Sequence, residues 1–260
     1  MTPEQIRIEA EQIYHALRQR QTLTPVTSRN PDITLQDAYS ISKQLLTMRL
    51  ADGERVIGKK IGLTSKVVQD MLGVHQPDFG FLTDAMMYES GAEIPLNDTL
   101  VQAKSEGEIA FILKQDLIGP NVSPEDVLAA TESVAACFEI VDSRIENWQI
   151  KIQDTVADNA SCGVFVMGDR VSPEAVDFEN CKMIIKNRGE VVAEGQGSAA
   201  LGSPLNCVAW LANALCEYGV ELKAGDIILS GSLAAMIPSV VGDDMTMEIE
   251  GIGHASYRMV

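Results

Sequence analysis

The sequence predicts an α+β protein, with an N-terminal helical cap over residues 1–54 and a larger β-rich region over residues 55–260 whose sheets are mainly antiparallel or mixed. Three observations predict it. Residues 3–20 place Ile6, Ala10, Ile13 and Leu17 at helical spacing, which gives one apolar stripe. Beyond "ADGER" the pattern changes to short apolar runs separated by turn residues, the signature of strands. No Pro-, Gly- or Ser-rich linker and no repeat divides the chain, so cap and β region read equally well as one continuous domain.

The elements follow in order. Thr34 and Asp37 form a capping-box start for a second helix running to Leu50. Strand-like runs occupy residues 56–63, 107–113, 136–143, 163–169, 182–197, 226–232 and 246–260. The "NRG" at 187–189 reads as a hairpin turn inside the fifth of these. Two helices interrupt the β region, each opened by Ser-Pro. Ser123-Pro124 leads into "EDVLAATESV", and Ser203-Pro204 leads into "LNCVAWLANALCEYG", where Gly219 supplies the stop.

Composition excludes several function classes. The chain has 260 residues, 46% hydrophobic and 22% charged, with 37 acidic against 20 basic residues and a formal charge of -17. A phosphate backbone or an anionic membrane surface would be repelled by that charge, so nucleic acid and membrane are not expected partners. No run of about 18 apolar residues suggests a bilayer span, and the charged, helical N-terminus does not resemble a signal peptide, so a cytoplasmic location is expected. Five widely spaced cysteines without C-x-x-C read as small core residues rather than a disulfide framework or a zinc site. "GERVIGKK" at 53–60 matches a phosphate-binding loop except that Lys60 stands where Ser or Thr must hold magnesium. "GQGSAA" at 195–200 lacks the alternating β-α units of a dinucleotide site. No G-x-S-x-G elbow occurs, and of the three histidines only His75, in "GVHQPDFG", is placed where a substrate could reach it.

Three segments carry chemistry. In "AKSEGEIAFIL" (103–113), Glu106 and Glu108 share one strand face about 7 Å apart, close enough to favour a bridging cation. Glu139, flanked by Cys137, Phe138, Ile140 and Val141, is a carboxylate that must be paired or metal-bound if ionised. Three carboxylates without a neighbouring imidazole or thiolate suit a hard divalent ion, Mg²⁺ or Mn²⁺. The alternative is a solvated strand face, with Glu139 paired to Arg144 or a lysine. "GKKIGLTS" (58–65) sends Lys59 and Lys60 to opposite faces, so only one can join the carboxylates, as a catalytic group or a structural counter-charge. Its turn offers hydroxyls and backbone N–H groups to a small carboxylate. "DTVADNASCG" (154–163) crowds Asp158, Asn159 and Ser161 into a polar loop that either binds substrate or is only a loop.

Taken together, "GKKIGLTS", "GVHQPDFGFLTDAM", "EGEIAFIL", "FEIVDSR", "VADNASCG", "ALGSPLNCVAWLAN" and "LSGS" resemble the 2-hydroxypenta-2,4-dienoate (2-oxopent-4-enoate) hydratases of bacterial aromatic meta-cleavage pathways, over nearly the whole chain. These enzymes and the similar 4-oxalocrotonate decarboxylases belong to the fumarylacetoacetase-like superfamily. "HQPDFG", "SEGEIAFIL", "SCGVF" and "SPLNCVAWLAN" resemble the hydratase versions more closely. The resemblance implies a fumarylacetoacetase C-terminal-like mixed β-roll core beneath the cap. It implies that Glu106, Glu108 and Glu139 hold the metal and that Lys60, rather than Lys59, is the shared catalytic lysine. Asp78 and Asp158 become candidates for moving protons, with Thr64, Asn159 and Ser161 binding substrate. It also implies assembly as a homo-oligomer, such as a decamer, and association with the decarboxylase.

Overall fold

The computed structural model describes residues 1–65, 69 and 76–260; His75 lies outside the described residues. Helix α1 (Pro3–Gln19) starts at a capping box, in which Thr2 Oγ1 accepts from Gln5 N and Gln5 Oε1 accepts from Thr2 N, and it buries Ala10, Ile13 and Ala16. A single turn, α2 (Val26–Arg29), precedes α3 (Leu35–Ala51), whose predicted Thr34–Asp37 capping box forms with bonds of 3.0 and 3.1 Å. These helices are stitched to the rest of the chain. Leu23 N donates to Arg144 O at 2.7 Å, Thr27 N to Asp154 Oδ1 at 2.8 Å, and the Tyr39 ring stacks on Phe79 with centroids 4.3 Å apart.

The strands are β1 (Val56–Gly62), β2 (Asp78–Thr83), β3 (Met87–Glu89), β4 (Ala92–Ile94), β5 (Lys104–Leu113), β6 (Thr131–Val141) and β7 (Val164–Met167). They continue with β8 (Lys182–Asn187), β9 (Glu190–Gln196), β10 (Ile227–Leu229), β11 (Ile237–Pro238), β12 (Asp244–Ile249) and β13 (Gly253–Met259). One curled sheet runs β2-β1-β10-β5-β6-β7-β3, with β11 pairing β5; the other runs β4-β13-β12-β8-β9. The β1/β10, β3/β7 and β4/β13 pairs are parallel and the remaining pairs antiparallel, so the sheets are mixed as predicted. Among the described residues the connecting helices are α4 (Leu96–Thr99), α5 (Pro124–Ala130), α6 (Ile152–Ala157) and α7 (Pro204–Cys216).

Several boundaries differ from expectation. Helix α5 stops at Ala130 because Thr131 and Val134 already belong to β6, whose β-branched residues suit a pleated surface. Strand β5 begins at Lys104, so both glutamates lie within the strand rather than at its entrance. The run 246–260 is a hairpin, β12 and β13, turning through residues 250–252. Strand β2 was hidden by its Gly and Asp. The Arg188-Gly189 turn between β8 and β9 has φ of 51° and 85°, the double left-handed conformation of a tight hairpin. Residues Gly197–Cys216 are apolar enough for a bilayer span by composition. The regular helix within them is only the 13 residues of α7, about 20 Å long against the 30 Å of a hydrocarbon core, and it buries Cys207, Val208, Leu211 and Leu215.

The two sheets press one face together, with Phe138 of β6 edge-on to Tyr257 of β13 at 5.0 Å. Gly107 sits at this contact: a Cβ there would lie 2.3 Å from Met183 Sδ and 2.7 Å from Met247 Sδ. Its neighbours Glu106 and Glu108 therefore point the other way, into the curl of the first sheet. That inner face is lined by Ala110, Ala135, Cys137, Phe165 and Leu229. Of the five cysteines only Cys216 is exposed, and all are free thiols.

Candidate active site

The inner face of the curled sheet turns polar at one end. Glu106 of β5 lies directly opposite Glu139 of β6, and Glu108 opposite Cys137. Like charges opposed on an antiparallel pair, with Cβ atoms about 5 Å apart, destabilise a sheet unless something neutralises them. One carboxylate oxygen from each of Glu106, Glu108 and Glu139 lies within 4.8 Å of the others. Glu108 and Glu139 are 0% and 2% exposed. Glu108 Oε2 accepts from Gly231 N at 2.8 Å, while Glu108 Oε1 and both oxygens of Glu139 accept no hydrogen bond from the described residues. Buried orphan oxygens are costly, and an all-oxygen, thiolate-free cluster of this span fits a hard divalent cation.

Lys60 reaches the same place through register. It pairs with Leu229, which pairs with Ala110, two positions from Glu108, so the lysine shares the glutamates' face. Its Nζ lies 3.1 Å from Glu139 Oε1 as an ion pair, though out of line for a hydrogen bond. The partner of Glu139 is thus this lysine and not Arg144. Lys59 points away and pairs with Asp226. Asp78 opens β2 opposite Gly62 and faces the same pocket. A Cβ on Gly62 would stand 2.2 Å from Asp78 Oδ1 and 3.4 Å from Lys60 Nζ, so this close approach requires glycine.

Crowding of carboxylates sets the electrostatics. Burial, then Glu139, pushes Glu106 up to about 7. Burial, then Glu139 and Glu106, raises Glu108 well above the ordinary range. Burial raises Asp78 to about 6 against the pull of Lys60. Burial alone would lower Lys60, but Glu139 leads the carboxylates that hold it above the ordinary lysine range. In the metal-free protein the site thus carries more negative charge than one lysine balances, and it holds protons in place of a stronger cation.

The remaining predicted residues fall on two loops at the same end. Thr64 is buried beside Gly231, whose φ is 91° and whose absent Cβ would meet Thr64 Oγ1 at 2.5 Å. Asn159, Ala160 and Ser161 all adopt φ between 52° and 55°, a strained left-handed run. Asn159 clamps β2, its Oδ1 accepting from Phe81 N at 2.8 Å and its Nδ2 donating to Phe81 O at 2.9 Å. Ser161 Oγ lies 3.0 Å from Thr155 Oγ1. The Asp158 carboxylate is taken up by Arg144, Oδ1 accepting from Arg144 Nε at 2.6 Å and Oδ2 from Arg144 N at 2.8 Å, while its backbone carbonyl accepts from Ser161 N at 3.0 Å. Burial pushes Asp158 up to about 6, and the Arg144 guanidinium is what keeps it ionised at neutral pH.

Sequence reasoning missed the size of the Arg144 clamp. Its guanidinium also donates to the carbonyls of Cys162 and Asp158 at 3.0 Å each, and Asp142 lies 3.4 Å away. Arginine in a run otherwise bound for the core, "FEIVDSR", was the available signal, since buried arginine requires several acceptors. The Gly231 N–H on Glu108 left no such trace beyond the small residues of "LSGS".

A curled mixed sheet carrying an inward carboxylate trio beside a lysine defines a class that the comparisons identify. Residues 58–260 match the fumarylacetoacetate (FAA) hydrolase C-terminal family. A 2-hydroxyhexa-2,4-dienoate hydratase of Comamonas testosteroni is 57% identical over 255 residues, covering 97% of each chain. A 2-hydroxypent-2,4-dienoate hydratase of Pseudomonas putida is 63% identical over 211 residues, 81% of this chain and 95% of that one. Among solved structures, the 4-oxalocrotonate decarboxylase of Pseudomonas putida G7, complexed with magnesium and adipate, superposes with a TM-score of 0.97 at 36% identity, covering 100% and 99% of the two chains. The chain belongs to the fumarylacetoacetate hydrolase C-terminal family and, within it, to the 2-hydroxydienoate hydratases.

Proposed function

We propose that this protein is a hydro-lyase of aromatic meta-cleavage catabolism, converting 2-hydroxypenta-2,4-dienoate and water to 4-hydroxy-2-oxopentanoate. The observation that carries the reading is the convergence of Glu106, Glu108 and Glu139, with orphaned buried oxygens, beside Lys60 and Asp78. Glu106, Glu108 and Glu139 would hold Mg²⁺ or Mn²⁺, which when bound supplies Lewis-acid stabilisation of negative charge on the substrate's 2-oxygen. The fit rests on the donor set, three carboxylates and no softer ligand.

The chain's own residues supply the rest. In the first half-reaction the 2-hydroxyl proton leaves and a proton arrives at C5, giving 2-oxopent-3-enoate. In the second, water adds at C4 and a proton arrives at C3. Asp78, with an oxygen free of hydrogen bonds and a pKa raised by burial, moves protons between these carbons and water. Lys60, held cationic by its carboxylate neighbours, stabilises the oxygen end. Thr64 and Ser161 hydrogen-bond the bound substrate. Asn159 holds β2, and Asp158 works through Arg144 to hold the left-handed turn, so both position the groups that touch substrate.

Identity favours hydration over decarboxylation. The backbone of the decarboxylase is nearly superposable, but its identity of 36% falls well below the 57% and 63% shared with hydratases. The resemblance carries with it a cytoplasmic homo-oligomer that associates with the decarboxylase. Freshly generated dienol, incubated with protein and Mg²⁺ or Mn²⁺, should lose its absorbance and yield 4-hydroxy-2-oxopentanoate. Untouched dienol together with CO2 release from 2-oxohex-3-enedioate would replace this reading with decarboxylation. Activity surviving exhaustive chelation, with borohydride trapping of Lys60, would replace it with a Schiff-base mechanism.

A further inference from the structure

Lys104 opens β5 two residues before Glu106, so its side chain leaves the strand on the face that carries Glu106 and Glu108. Strand spacing puts it about 7 Å beyond Glu106, on the more exposed side of the trio, since Lys104 and Glu106 are half-buried whereas Glu108 is fully buried. It forms no ion pair or hydrogen bond among the described residues; its Nζ lies instead 4.2 Å from the centroid of the Trp148 ring. That ring is held on a purpose-built loop. Asn147 and Trp148 both adopt φ of 54°, a conformation costing about 1–3 kcal/mol per residue that the surroundings must enforce. Gln102 enforces it: its carbonyl accepts from Trp148 Nε1 at 3.0 Å and its Oε1 from Asn147 N at 2.8 Å. Its Nε2 donates to the carbonyls of Ser143 and Ile145, both at 2.8 Å.

A cation braced on an aromatic face answers a problem the site poses. The substrate class is anionic, the chain carries a formal charge of -17, and the pocket is walled by carboxylates. We propose that Lys104, braced by Trp148, is a substrate-binding residue that captures the carboxylate of the 2-hydroxydienoate at the mouth of the site. The inference rests on the metal-dependent dienoate reading. The aromatic face leaves the ammonium's donors unspent, so the lysine holds its place without forfeiting its charge to Glu106.

The test separates capture from structural support through two binding measurements of opposite sign. In Lys104→Met, Mn²⁺ titrated calorimetrically into metal-free protein should bind about threefold more tightly, because a nearby positive charge is gone. Pyruvate, a minimal 2-oxo acid, titrated into the Mn²⁺-loaded protein should bind about tenfold more weakly, the value of one charge-assisted hydrogen bond. KM for the dienol should rise in parallel while kcat changes less than threefold. Lys104→Arg should restore pyruvate binding, and Trp148→Leu should lose part of it. Pyruvate affinity and KM unchanged in Lys104→Met would overturn the proposal, and so would Mn²⁺ and pyruvate weakening together, the mark of general damage. Wild-type protein that binds Mn²⁺ and pyruvate yet leaves the dienol untouched would instead overturn the hydratase reading, with the Lys104 comparison still decided by binding.

Discussion

Replacing Glu106 by Gln should stabilise the metal-free protein while abolishing its metal site. Glu106 rises from an ordinary 4.5 to about 7 in the folded chain, chiefly through burial and the opposed Glu139. Between these values the folded state holds a proton that the unfolded chain has released, so stability contributed by this group falls as pH rises and the loss is complete above about 7. At about 1.4 kcal/mol per pH unit, the ionised carboxylate costs about 3 kcal/mol at pH 8. A glutamine, neutral at every pH, removes that cost. For a chain of 260 residues this corresponds to an increase in Tm of about 5 °C. Thermal unfolding of chelator-treated wild type and Glu106→Gln at pH 5 and pH 8 measures it: the variant should gain stability at pH 8 and little at pH 5. Added Mn²⁺ should stabilise wild type and leave the variant unmoved. A variant less stable than wild type at pH 8 without metal, or one still stabilised by Mn²⁺, would refute the reasoning.

Other expectations follow from the same geometry. Asp78→Asn should lower kcat by about 10²- to 10⁴-fold with Mn²⁺ affinity retained, measured by steady-state kinetics and calorimetry. Because Asp78 must be ionised to accept a proton, the acid limb of the wild-type kcat/KM profile should lie no higher than about 6 and should vanish in that variant. Gly62→Ala, whose new methyl would collide with Asp78 Oδ1, should reproduce the kinetic loss without the chemical change. Arg144→Met should cost about 3–5 kcal/mol in denaturant unfolding, since it strands Asp158 and Asp142 as buried charges. Mn²⁺ at about a thousand times its Kd should raise unfolding free energy by about 4 kcal/mol, and a chelator should reverse it.

Much of this was legible in the sequence because it depends on short-range rules. Two-residue spacing put Glu106 and Glu108 on one face, and Thr34–Asp37 and the two Ser-Pro starts marked real helix N-termini. What could not be read was register. Nothing local in "FEIVDSR" places Glu139 opposite Glu106, or Lys60 in line with Leu229 and Ala110; those alignments come from pairing strands far apart in the chain. Likewise "VADNAS" carries no mark of three successive left-handed residues, because their strain is maintained by Arg144, Asn159 and Thr155 acting through tertiary contacts. Strand β2 escaped for a related reason. Its Asp78 and Gly80 break the β pattern locally, and they are tolerated because Asp78 faces the site and Gly80 lets the Asn159 turn approach to 2.5 Å of where its Cβ would be.

Hydration at this site requires that water add at C4 of a dienol held at the carboxylate trio. Incubation of the dienol with wild type and Glu108→Gln in ¹⁸O-labelled water, with Mg²⁺ and with chelator, tests it most directly by mass spectrometry of the product. Only wild type with metal should give 4-hydroxy-2-oxopentanoate labelled at the C4 hydroxyl. Labelled product formed equally under chelation or by Glu108→Gln, or no hydrated product from wild type with metal, would contradict it.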